Sequence, residues 1–296
     1  MVFCKRSNQS GMALLFALLI VVLAVTVSVS ISHELWFSIR KTSHMQLNSR
    51  ASLYALGLED WARLFLQKDK KDSKTDHLQE DWAIGVPGLP IEGGYLAGYL
   101  EDEQAKFNVN NLLGSEETIK RFKRLCHNLE VDATFIPALQ DWIDTDLDVR
   151  YPDGAEEHYD TYRVANQPMA DVSELLLVKG VTIEMLDKLK PYITALPNAT
   201  NLNVNTMSET IYLSLDENLD AADFLEKRED AEFKDINDFI TRMQKAIAPE
   251  GLSIDSEYFR AYGQIVQGEQ TYSVKTLLNR NEKGLTTVLN RTLEQF

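Results

Sequence analysis

Met12-Ala-Leu-Leu-Phe16-Ala-Leu-Leu-Ile-Val-Val-Leu-Ala-Val-Thr-Val-Ser-Val-Ser-Ile31 decides the fold: it holds no charge, and Lys5 and Arg6 lie just before it. At about 1.5 Å of rise per residue, a helix of about 20 residues spans roughly the 30 Å of a bilayer's hydrocarbon core. A cleaved secretory signal has a shorter apolar core, about 7 to 15 residues, closed by small residues. Here the run continues to His33 and Glu34. The stretch therefore reads as a retained membrane helix over 12–32, and the bases ahead of it set the N-terminus in the cytoplasm. Everything after about residue 33 then lies outside the cytoplasm.

Beyond the membrane stretch, Trp36, Phe37, Ile39, Leu47, Leu53, Tyr54, Leu58, Trp61, Leu64 and Phe65 recur near helical spacing, which predicts one helix over 12–67. The Lys- and Asp-dense run Lys68 to Asp76 reads as a solvated loop, and Val86-Pro-Gly-Leu-Pro90 as a turn. Two alternating runs, Gly94 to Glu101 and Lys106 to Leu113, predict a hairpin around Asp102-Glu103-Gln104. Helical patterning then holds from Glu116 to about Ile247. Strand signals return only in Tyr258 to Val266, Tyr272 to Leu278 and Leu285 to Leu293. A hairpin before a helical block and three strands after it are most simply one antiparallel sheet, 68–114 with 248–296, carrying an all-α insertion over 115–247. The class is α+β.

The chain of 296 residues sets 45 Asp and Glu against 30 Lys and Arg, a net charge of -15, so a phosphate-binding surface would work against the global field. Cys4 and Cys126 are too few for a disulfide framework, and no Cys/His spacing points to zinc. HExxH, GxSxG, P-loop and GxGxxG patterns are all missing, so the sequence reads as a protein without enzymatic activity. Cys126 is expected to be a buried small hydrophobe.

Two features remain. Asp141-Trp-Ile-Asp144-Thr-Asp146-Leu-Asp148, followed by Asp153-Gly-Ala-Glu156-Glu157 and Asp160, is the densest acidic run. Alternate carboxylates can converge on Ca²⁺, which takes six to eight oxygens at about 2.3 to 2.6 Å. The run is no EF-hand, because Val149 stands where that loop needs Gly and Ala155 where it needs Glu. From the residues alone, a cation site and an ordinary acidic loop both remain open. The segments Ala170 to Val181 with Met185 to Tyr192, and Asn203-Val-Asn-Thr with Phe224 to Phe239, look like helix-hairpin-helix units. In DNA-binding proteins such hairpins meet phosphate; here Asp216-Glu217-Asn218 replaces the hairpin glycine of the second unit, and few bases flank either.

Taken together, the chain resembles the K-type minor pseudopilins of bacterial type II secretion (general secretion pathway protein K). The likeness covers essentially its whole length. It is carried by the basic leader ending in Gly11, by Met12-Ala-Leu-Leu, Tyr54-Ala-Leu-Gly-Leu-Glu-Asp-Trp-Ala, Glu92-Gly-Gly-Tyr-Leu and Phe107-Asn-Val-Asn-Asn. Asp141-Trp-Ile-Asp, Gly154-Ala-Glu-Glu, Ser173-Glu-Leu and Asn203-Val-Asn-Thr continue it in the same order. The resemblance implies a pseudopilin fold and cleavage of a 1–11 leader between Gly11 and Met12 by prepilin peptidase, with methylation of the new amine. Most pilins carry Glu at the fifth mature position, where it meets a neighbour's terminal amine; here that position is Phe16. A lone carboxylate in a bilayer is costly. Its absence fits a subunit at the pseudopilus tip, as does a bulky insertion that is hard to repeat along a filament.

The implied partners are the minor pseudopilins I and J, together with the pseudopilus and the inner-membrane secretion platform. The implied location is the inner membrane, single-pass, with the soluble domain in the periplasm. Calcium binding in the family favours a cation at Asp146, Asp148, Asp153, Glu156 and Glu157. The competing expectation is an envelope-anchored DNA-binding protein using the helix-hairpin-helix units, and a third is a membrane-tethered, metal-assisted hydrolase.

Overall fold

The computed structural model describes residues 10–156 and 163–295. The chain falls into two compact units, one ending at Tyr54 and the other beginning at Ala55. The described residues of the first unit form a single helix, the opening part of α1 (Ser10–Asp72). Leu14, Leu18, Val21, Leu23 and Val25 are all more than half exposed there. Burying such side chains in an apolar phase is worth roughly 25 cal/mol per Å². This is the one helix among the described residues long and apolar enough to cross a membrane. α1 ends at Asp72 rather than Gln67, with Lys70 and Lys71 in its last turn where positive charge favours the helix C-terminus.

In the second unit five antiparallel strands form one sheet: β1 (Val86–Ile91), β2 (Gly94–Asp102), β3 (Tyr258–Gln267), β4 (Gln270–Arg280) and β5 (Thr286–Gln295), in that spatial order. Val86 to Pro90 is thus a strand, not a turn. Proline cannot donate to a ladder, yet it is tolerated on an edge strand, and β1 is an edge whose register slips between Val86 and Leu89. The hairpin is accordingly β1–β2. Of the expected second strand, Lys106 to Leu113, only Phe107–Asn108 is extended, pairing in parallel with Ile193–Thr194. The Asn108 side chain then accepts from the Asn110 N–H at 3.2 Å and turns the backbone into a 3₁₀ helix over Val109–Leu113.

The chain leaves the sheet at Asp102 and rejoins it beside that residue, since Asp102 pairs with Phe259. Everything between is the insertion, built from α2 (Glu116–Asn128), α3 (Ile136–Ile143), α4 (Ile183–Leu189), α5 (Glu209–Leu213), α6 (Ala221–Asp230), α7 (Ile236–Met243), short 3₁₀ turns and two short parallel pairings, Phe107–Asn108 with Ile193–Thr194 and Leu202–Asn203 with Leu252–Ser253, so it is mainly rather than wholly helical. Its core is continuous. Phe107 and Leu112 bury against Phe122, Leu139 and Leu189, and the rings of Tyr212 and Phe224 stack at 4.2 Å.

The last turns of α1 lie on the sheet. Ala62 and Leu66 pack against Leu100, Phe259, Ala261 and Leu278. Close approach is made by two mid-strand glycines: a Cβ on Gly98 would stand 2.5 Å, and one on Gly263 2.3 Å, from a methyl of Leu58.

Candidate functional site

Asp141 and Asp144 sit at the C-terminal end of α3, where Asp144 is the cap residue. The loop that follows folds back over them. Arg150 and Ala155 donate backbone N–H groups to Asp141, the latter at 2.8 Å, and Gly154 comes so close that a Cβ there would stand 2.3 Å from Asp141 Oδ2. The Arg150 guanidinium pairs with Asp141 at 3.1 Å and with Asp144. Oxygens of Asp141, Asp144 and Glu156 all lie within 4.8 Å of one another.

One cation does not satisfy this cluster. Asp144 Oδ1 and Glu156 Oε1 are buried without a hydrogen-bond partner. Burial, followed by the charges of Asp141 and Asp146, raises the Glu156 carboxyl above its ordinary value. A donor set made only of oxygens, two of them orphaned, fits a hard divalent ion such as calcium.

Of the expected ligands, only Glu156 enters this cluster; Glu157 lies outside the described residues. Asp146, Asp148 and Asp153 are exposed on the same loop, where Asp146 Oδ1 accepts from the Asp148 N–H at 2.9 Å. Asp144 belongs to the alternating run Asp144, Asp146 and Asp148 that could converge on a cation, whereas Asp141, in the same acidic run, is not among the expected ligands. The signal that could have found Asp141 was its place on the buried face of α3 with Ala138 and Trp142.

A second acidic cluster closes the joint between α1, the sheet and the insertion. Arg280 is completely buried, reaching Asp69 at 2.8 Å, Asp76 at 2.5 Å and the Ser256 carbonyl at 2.8 Å. Ser256 donates its N–H to Asp76 at 2.7 Å and its hydroxyl to Asp102 at 2.6 Å. Asp102 also accepts from Thr206 at 2.5 Å and from Asn203 at 3.1 Å. Burial pushes Asp102 up to about 6, against the lowering pull of those hydroxyls. Burial also pushes Asp69 up, to about 8, helped by Glu80 and Asp76. Asn203 and Asn205, inside one of the helix-hairpin-helix segments, are fully buried in this joint and in contact with the carbonyls of Asp76 and Phe233. Cys126 is buried, and burial raises its thiol to about 12.

An apolar N-terminal helical stretch, followed within the second unit by helical turns packed on an antiparallel sheet, defines a membrane-anchored, pilin-like subunit. The comparisons with known proteins make this specific. Residues 105–198 match the family model for protein K of the type II secretion system. Type II secretion system protein K of Pectobacterium carotovorum is 30% identical over 93% of this chain and 93% of its own. The Klebsiella pneumoniae protein is 29% identical over 96% of each, and the Pseudomonas aeruginosa protein 28% over 98% and 94%. Among solved structures, the GspK-GspI-GspJ complex of the enterotoxigenic Escherichia coli type 2 secretion system matches with a TM-score of 0.79 at 27% identity, covering 86% of this chain and 99% of that one. The chain belongs to the type II secretion system protein K family, the K-type minor pseudopilins, and serves secretion as a structural component.

Proposed function

We propose that this protein sits at the tip of the type II pseudopilus, held by its N-terminal helix in the inner membrane with the second unit in the periplasm, and helps start filament assembly. Prepilin peptidase cuts between Gly11 and Met12, and the new Met12 amine is methylated. The observation that carries the tip position is Phe16, an apolar residue at the fifth place after the cut, where a filament subunit would need a carboxylate for its neighbour. The insertion between β2 and β3 supports the same reading, since a mass of that size caps a filament more readily than it repeats. Its partners are the minor pseudopilins I and J, by analogy with the solved GspK-GspI-GspJ complex. None of its residues is assigned to catalysis.

A calcium ion at the acidic loop belongs to this reading. Asp141, Asp144 and Glu156 would hold it, with Asp146, Asp148, Asp153 and Glu157 supplying the remaining oxygens. Bound there, the cation neutralises the loop and ties it to α3.

The test is co-purification of the full detergent-solubilised chain with I and J, together with mass spectrometry of its N-terminus. A complex of the three and a methylated Met12 are expected. An intact Met1, or a chain that elutes alone, overturns the reading.

A further inference from the structure

The two edges of the sheet are guarded differently. An exposed edge strand invites pairing with another chain, and proteins blunt it with proline, bulges or charge. On β1 this is done by Pro87, Pro90 and the register slip between Val86 and Leu89. β5 has no proline. Its one irregularity, opposite Leu277 and Leu278, leaves Asn290–Gln295 in unbroken register with β4. Of its two charges, Arg291 is turned inward onto the buried Glu59 and Glu294 lines a cavity on the other face of the sheet.

Beside that open edge, on the face of the sheet away from α1, lies a cavity of about 470 Å³ between sheet and insertion. Asn290, Thr292 and Glu294 of β5 form one wall, with Lys275 of β4 next to them and Lys190 across from them. Lys106 and Arg260, also in the lining, are already engaged by Glu103, at 3.2 Å and 2.9 Å. Lys190 and Lys275 form no ion pair among the described residues. The lining sets four bases, Lys106, Lys190, Lys275 and Arg260, against three acids, Glu103, Asp171 and Glu294, with Asp171 close enough to Lys190 to feel its charge; in a chain of net charge -15 the cavity is thus locally positive and favours a carboxylate from elsewhere.

We propose that the outer edge of β5 and this groove form one docking site for an extended, carboxylate-bearing segment of a neighbouring subunit, which is added to the sheet as a sixth strand. Main-chain hydrogen bonds to β5 supply the affinity. Alternate side chains of the added strand fall on the groove side, and acidic ones there meet Lys275 and Lys190. The proposal rests on the assembly role set out above and names the surface that role uses.

The test places a photoreactive benzoylphenylalanine at Thr292 of the full chain, in secreting cells deprived of their own copy, and scores secretion and adducts together. An adduct is expected whose mass-spectrometric map falls in an extended, acid-rich segment of another subunit. It should be lost at least tenfold in the Lys190→Glu, Lys275→Glu double variant and kept in Lys283→Glu, on the distant β4–β5 turn. If the label at Thr292 itself blocks secretion, Asn290 takes its place. Secretion without an adduct, an adduct on a helix or a basic segment, or one indifferent to the double variant overturns the docking site alone. A wild-type chain that restores no secretion overturns the assembly role, and the docking site with it.

Discussion

Two acidic clusters of similar density sit in the second unit, and their fates differ. Around Arg280, the carboxylates of Asp69 and Asp76 are met by a fully buried guanidinium and, at Asp76, by the Ser256 N–H, so no carboxylate oxygen there is orphaned and only the guanidinium Nε lacks a partner. Around Arg150, which is 34% exposed, Asp144 and Glu156 each keep a buried oxygen with nothing to accept from. Carboxylate density alone therefore does not define a cation site. What distinguishes the two is how far the protein's own donors satisfy the oxygens.

The largest expected effect comes from breaking the closed cluster. Arg280→Met leaves Asp76 buried and uncompensated, and should lower the unfolding free energy by about 3 to 5 kcal/mol, read by denaturant titration, with no rescue by calcium.

Next is the pH response of the same joint. Asp102 has a folded value near 6 against 3.8 for the free group, so the folded state binds the extra proton. Its contribution is therefore fully present below about pH 4 and is lost as the pH rises through 6, a span worth about 3 kcal/mol. Asp102→Asn should reduce the fall in stability between pH 4 and 6, leaving the fall that Asp69, raised to about 8, carries on to higher pH. An unchanged slope would show that Asp102 is not the titrating group.

The open cluster should respond to metal where the closed one does not. Calcium at about a hundred times its dissociation constant adds about 2.7 kcal/mol, or roughly 5 to 10 °C in Tm for a unit of this size, and chelation should remove it. Asp144→Ala with Glu156→Ala should abolish that difference, as should Asp146→Ala with Asp148→Ala if the exposed acids of the loop complete the oxygen set.

The smallest effect sharpens the contrast between the two arginines. Arg150→Met should cost about 1 to 2 kcal/mol in chelator, measured as a Tm decrease, and millimolar calcium should restore the loss. Failure to restore it would place Arg150 in the same closed class as Arg280.

The membrane helix, the insertion and the three late strands were legible because each rests on local periodicity: an uncharged run, a 3.6 repeat, a two-residue alternation. β1 was hidden because its prolines signal a turn unless the strand is known to be an edge. The strand expected after Phe107 failed because Asn108, Asn110 and Asn111 spend their side chains on backbone groups; Asn110 alone donates to the carbonyls of Met169 at 2.9 Å and Leu196 at 2.8 Å. The acidic run was visible as composition. Which carboxylates converge depended on a loop folding back until Gly154 touches Asp141, a long-range contact that no local pattern encodes.

The notch that Gly98 and Gly263 make for Leu58 has a mechanical reading. A helix resting on a smooth apolar sheet can slide, trading one set of methyl contacts for another of equal worth. Here the branched side chain sits where only hydrogen leaves room on either side. A shift of one helical turn, about 5.4 Å, would drive it against substituted positions of the strands. A pull on the part of α1 beyond residue 55 therefore meets a steric stop, and within the second unit the sheet follows residues 55–72.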